Sequence, residues 1–117
     1  MQEVTIPPEA LRTLLEQLRN LEIEVENDSP VGDMRWAELR AEIEGLNRDQ
    51  QHELVALMWI GREDFDEMDW AEAVALAAER HVGPTFDYLL AHPLASEQIA
   101  AGLEEIGHAH LLLDGEY

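Results

Sequence analysis

Arg62 follows a glycine at the end of an apolar run and stands before six carboxylates with no base among them: Glu63, Asp64, Asp66, Glu67, Asp69 and Glu72. A guanidinium in that setting can hold a carboxylate in a two-pronged pair, or meet an anionic ligand at a pocket mouth. The simpler role is a helix C-terminal cation that faces the dipole and fixes the loop behind it. The sequence favours that role, because a catalytic arginine needs an anionic substrate pocket around it. Arg62, Glu63, Asp64, Asp66 and Glu67 are the candidate binding residues.

Other chemistry-bearing residues lack complete partner sets. Asp64, Asp66 and Asp69 could converge on a divalent cation, but the glycine and closing glutamate of a calcium loop are missing, so the expectation is a helix-capping acidic loop and no metal. His52-Glu53 opens like a zinc-protease motif, yet Ala56 stands where the second histidine is needed. His108 and His110 supply two nitrogens only, a weak site. His81, on the inner edge of its helix, reads as a packed histidine. No serine, threonine or carboxylate stands at a nucleophile or acid–base spacing, and there is no glycine-rich phosphate loop. The sequence gives no positive sign of an enzyme, and no cofactor is expected.

Composition narrows the field further. The chain has 117 residues, a formal charge of -19, no cysteine, and seven basic residues, all arginine, against 26 acidic ones. Without lysine there is no Schiff-base amine, no Walker lysine and no basic stripe for phosphates, which excludes direct nucleic-acid binding. A hydrophobic fraction of 46% is too high for a disordered acidic tail. No apolar run approaches the roughly 20 residues of a membrane span, and a secretory leader pattern is absent from the start of the sequence. The expectation is a cytoplasmic protein with no membrane partner; oligomeric state is not encoded.

The elements that must position these residues are helices. Leu11, Leu14, Leu15, Leu18, Leu21 and Val25 recur at helical spacing after Pro7-Pro8, which suit a first turn. Turn formers fill 27–33. Asp33 can cap a second helix carrying Trp36, Leu39, Ile43 and Leu46, ended by Gly45. Asn47, with Gln50 three residues on, has the form of a capping box for a third helix. Its segment Leu54 to Ile60 is apolar all round, the mark of a central, surrounded element, with Gly61 as its stop.

Asp66 or a neighbour can cap a fourth helix carrying Trp70, Ala73, Val74, Ala77, Ala78 and His81, closed by Gly83-Pro84. A short helix over 84–91 turns Phe86, Leu89 and Leu90 inward, and Pro93 forces a break. The last helix carries Leu94, Ile99, Leu103 and Ile106 and ends at Gly107. Trp36, Trp59 and Trp70 could build a ligand pocket or an interface anchor, but each falls on an apolar face and core packing is the simpler reading. The fold class is all-α, a bundle of five or six short helices around a central apolar helix. One domain over 1–117 is expected, divided into an N-terminal helix and loop (1–33), a core (34–107) and a leucine-bearing tail (108–117).

LNRDQQHELVALMWIGR, then Trp70, YLLAHPL and the Gly102-Leu103 pair follow one another between Leu46 and Gly107. In these pieces the chain resembles the bacterial domain of unknown function family 3775, known mainly from alphaproteobacteria. The resemblance implies a helical fold and brings no activity, cofactor or partner. The family pattern has a glycine after the arginine, where this chain has Glu63, so the resemblance does not carry over a tight turn or backbone contact at that point.

Charge is the one extreme property, and it acts on association rather than on fold. The leading expectation is a small acidic interaction module, an adaptor for a protein partner with a basic surface. A second class is a nucleic-acid mimic that occupies a DNA- or RNA-binding protein, which needs carboxylates along one face. A third is a small-molecule enzyme or sensor with Arg62 at the pocket mouth; a deep apolar pocket with convergent polar groups would promote it.

Overall fold

The computed structural model describes residues 4–26, 33–64, 69–80 and 83–107. Among them are six helices and no strand: α1 (Pro8–Glu26), α2 (Asp33–Glu44), α3 (Arg48–Gly61), α4 (Trp70–Glu79), α5 (Thr85–Leu90) and α6 (Ala95–Glu105). This is the all-α bundle that the helical periodicity requires. No helix is long and apolar enough to cross a membrane. Residues 27–32 of the loop expected over 27–33, Asp66, Glu67, His81 and the expected tail over 108–117 lie outside the described residues.

α3 is the surrounded element. Every residue from Gln51 to Ile60 is buried, and α6, α4 and α5 pack around it. Its start is the expected capping box: Gln50 donates its backbone N–H to Asn47 Oδ1 at 2.8 Å, and Asn47 donates its own to Gln50 Oε1 at 3.1 Å. The segment before α1 is tied to the same turns. Thr5 donates from its backbone N–H and its hydroxyl to the two oxygens of buried Glu53 at 2.8 and 2.7 Å, while Ile6 is buried in the core.

Gly61 ends α3 as its sequence position suggests, and it has a second role. It is the last residue of α3, and a Cβ placed on it would lie 1.7 Å from the carbonyl oxygen of Gln98 in α6. Gly102 of α6 is its counterpart, since a Cβ there would lie 2.1 Å from the carbonyl oxygen of Leu57 in α3. Each glycine thus faces the other helix's backbone, at a separation no side chain could enter. The helices cross backbone to backbone.

Two helices whose starts cannot cap themselves are capped from elsewhere. Pro84 and Leu94 occupy the N-cap positions of α5 and α6, and neither makes a side-chain cap bond. In both cases the N–H of the second helical residue is taken by a distant glutamate. Phe86 donates to Glu44 Oε2 at 2.8 Å, and Ser96 donates to Glu22 Oε2 at 3.0 Å, with the Ser96 hydroxyl on the other Glu22 oxygen. These carboxylates do from α2 and α1 what a capping side chain does locally. Leu94, expected inward, is 55% exposed because it stands at the cap ahead of α6's apolar face. At α4 the cap position belongs to Asp69, without a side-chain bond.

The tryptophans divide. Trp59 and Trp70 are buried, whereas Trp36 is half-buried at the edge of the core, set edge-on to Phe86 at 5.7 Å. Arg40 lies 4.8 Å from the Phe86 ring centroid and pairs with Asp87 at 3.4 Å.

Two predictions follow from the crossing and the clasp. Gly102→Ala should lower stability by about 2 kcal/mol or more, because a clash with fixed backbone outweighs the ~1 kcal/mol that alanine gains in helix propensity. A urea midpoint unchanged or raised in this variant would show that the backbones do not meet there. Glu22 has its pKa raised above the ordinary 4.5 by burial, against the lowering effect of its bonds from Ser96. Between 4.5 and the raised value the folded chain keeps a proton that the unfolded chain has lost. The folded state is therefore favoured most below that window and loses this contribution as pH rises through it. Melting of wild type and Glu22→Gln across that range should show wild type losing ground to the variant as pH rises; a constant difference would mean Glu22 does not titrate abnormally.

Candidate functional site

The exit from α3 sets the geometry. Glu63 donates its N–H to Ile60 O and Asp64 donates its own to Trp59 O, both at 2.9 Å, so the helix ends in a Schellman turn with Glu63 in the left-handed position at φ 66°. Glycine suits that position, and here a glutamate holds it. The turn sets Arg62 and Asp64 side by side. Arg62 donates from Nε to Asp64 Oδ2 at 3.0 Å and from Nη2 to the same oxygen. The acidic run therefore does grip the guanidinium, through Asp64.

Beside this pair opens a cleft of about 590 Å³ between α3, α4 and α5. Val55 and Trp59 of α3, Leu76 and Ala77 of α4, and Tyr88 of α5 form its largely apolar walls, with Arg62, Asp64 and Arg80 also on its lining. Val55, Trp59 and Arg62 fall one turn apart on a single stripe of α3. Leu57 and Gly61, which meet α6, stand about 200° round the helix from Val55 and Trp59 respectively. One face of α3 is closed by backbone and the other opens to the cleft.

The polar groups in the cleft are ordered. Trp59 donates its indole N–H to the Tyr88 hydroxyl at 3.0 Å. Tyr88 packs against His92 at 4.7 Å between ring centroids, and His92 Nδ1 lies 2.8 Å from the Tyr88 carbonyl oxygen. Thr85 donates its hydroxyl to Gln51 Oε1 at 2.7 Å, and Gln51 in turn donates to Leu46 O at 2.9 Å. Arg80 occupies the C-cap of α4, as Arg62 does that of α3. Two of the seven arginines thus end adjacent helices on one cleft.

Residues 36–108 match the family described as "Protein of unknown function (DUF3775)". The chain belongs to this family. A comparison with the curated proteins finds no match, and neither does one with the solved structures. The DUF3775 region contains every residue named on the cleft and both glycines of the crossing, while α1 precedes it.

Of the sequence-selected residues, Arg62 and Asp64 come together on the cleft. Glu63 is exposed and makes the turn, and Asp66 and Glu67 lie outside the described residues, as do His81, His108 and His110. His52 is buried inside α3. Among the described residues no three of His, Asp and Glu converge on a metal position. Arg80, Tyr88 and Leu76 are absent from the sequence-derived set. A signal for Arg80 did exist: it directly follows a helix packed on α3, as Arg62 directly follows α3 itself, in a chain poor in cations.

The strained turn yields its own prediction. A left-handed L-residue costs about 1–2 kcal/mol, and glycine's extra freedom in the unfolded chain returns part of that gain. Glu63→Gly should therefore raise stability by about 0.5–1 kcal/mol in urea unfolding. A loss of stability would mean that the Glu63 side chain contributes an attachment larger than the strain.

Proposed function

We propose that this DUF3775 protein is a cytoplasmic small-molecule binding module whose site is the α3–α4–α5 cleft. The single observation that carries the reading is the cleft's make-up: about 590 Å³, within the roughly 300–1,000 Å³ of ligand sites, apolar-walled, with a few placed polar groups at one side. Trp59 and Tyr88, bonded to each other, offer flat apolar area with little rotamer entropy left to lose. Arg62 and Asp64 rim that space rather than an open surface. No nucleophile–base pair is among the residues named on the cleft, so binding or sensing is favoured over catalysis.

The acidic-adaptor reading stands second. Exposed carboxylates are spread over all six helices, including Glu9 and Glu16 on α1, Glu38 and Glu42 on α2, Asp49 on α3, Glu72 and Glu79 on α4, Asp87 on α5, and Glu97 and Glu104 on α6. That distribution suits a steering field for a basic partner better than the single ridge of a nucleic-acid mimic.

A thermal-shift screen of small aromatic and aliphatic metabolite-like compounds, run in parallel on wild type and Leu76→Trp, tests the first reading. Leu76 is half-buried on the cleft wall, so the larger ring fills the space without emptying the core. Compounds that raise the wild-type melting temperature should lose that effect in the variant. Equal shifts in both proteins would put binding elsewhere. No shifts, together with salt-sensitive capture of a basic protein, would favour the adaptor.

A further inference from the structure

The cleft's charge state points beyond its shape. Arg62 and Asp64 neutralise each other, and the turn that fixes Asp64 through its N–H on Trp59 O holds the pair in place. Arg80 has no carboxylate partner among the described residues. Among the described residues the charged groups lining the cleft are thus one paired arginine, its aspartate and Arg80, a net of one positive charge. The Tyr88 hydroxyl adds a donor. Its oxygen already accepts the Trp59 indole N–H, which leaves the phenolic proton for an acceptor on a ligand. Thr85 does not compete as a donor, because its proton is committed to Gln51.

We propose that the cleft selects a monoanion, an aromatic or branched apolar body carrying one carboxylate. This deepens the small-molecule reading and rests on it. The carboxylate meets Arg80, whose planar fork matches it, and the Tyr88 O–H, while the body lies against Trp59, Val55 and Leu76. A second negative charge would have no unpaired cation among the described residues of the cleft to meet and would lie near Asp64. It would also approach through the field of a chain whose formal charge is -19, which disfavours polyanions before contact. Asp64 therefore acts twice: it positions Arg62, and it excludes dianions such as phosphate esters.

The test uses three ligands with one ring system, titrated calorimetrically into the full chain: 2-naphthamide, 2-naphthoate and 2-naphthyl phosphate. The carboxylate should bind about tenfold or more tighter than the amide, as a charge-assisted pair to the Arg80 fork together with the Tyr88 O–H would give. The dianionic phosphate should bind more weakly than the carboxylate. Arg80→Gln, a change at an exposed side chain, should bring the carboxylate-to-amide ratio towards one, and Asp64→Asn should raise the phosphate's affinity relative to the carboxylate's. If amide and carboxylate bind alike in wild type, or the phosphate binds best, the monoanion inference is overturned while the cleft remains a binding site. If none of the three binds, the small-molecule reading fails and this inference fails with it.

Discussion

The contact on which the rest of the fold depends is the crossing of α3 and α6 at Gly61 and Gly102. Ordinary helix pairs stand 8–10 Å apart, at about the distance their side chains set. Here a single added Cβ would come within 1.7 or 2.1 Å of the opposite carbonyl oxygen, so the two backbones themselves define the separation. That closeness has two consequences. It allows α3 to be buried along its whole apolar length, and it fixes the rotation of α3, since Leu57 and Gly61 must face α6. Val55, Trp59 and Arg62 then have to face the other way, where α4 and α5 leave the cleft. The site is a by-product of one helix's orientation, and the orientation follows from two missing side chains.

Charge has a more divided role than its total suggests. Glu22 and Glu44 cap helices that have no capping residue of their own, and Glu53 anchors the segment before α1. Asp64 holds Arg62, and Asp87 meets Arg40. Several acidic groups are therefore structural, and Glu22, Glu44 and Glu53 accept from backbone N–H groups that no local side chain satisfies. The surface ion pair of Arg40 with Asp87 is half-exposed on both sides and contributes little by itself. Its use is to seat the guanidinium over Phe86, beside the helix end that Glu44 caps. The exposed remainder supplies the field that acts on ligands at a distance.

Much of this was legible in the sequence where local rules decide. The Asn47–Gln50 box, the apolar run of α3 and the break at Pro93 all follow from spacing and short-range chemistry, and the Arg62–Asp64 pair is one of two roles the sequence offers. Glu63, where the resemblance leads to the expectation of a glycine, is left-handed in the structure. What the sequence left dark was tertiary. A glycine at a helix end looks the same whether or not it also admits a second backbone, so Gly61 read as a stop alone. The partnership of Glu22 with Ser96 joins residues 74 apart, and no local pattern signals it. Arg80 and Tyr88 looked like an ordinary helix end and an ordinary amphipathic residue until α4 and α5 were folded onto α3.

The central claim is that the cleft beside α3 is where this protein meets its ligand, and a nitrogen–proton correlation spectrum titrated with 2-naphthoate tests it most directly. The indole N–H of Trp59 and the side-chain Nε–H of Arg80 should move in a saturable way. The indole of Trp36, which packs on Phe86 and is not named on the cleft lining, should stay still. Movement of Trp36 with Trp59 and Arg80 unmoved would contradict the account and place the binding surface on another face of the bundle.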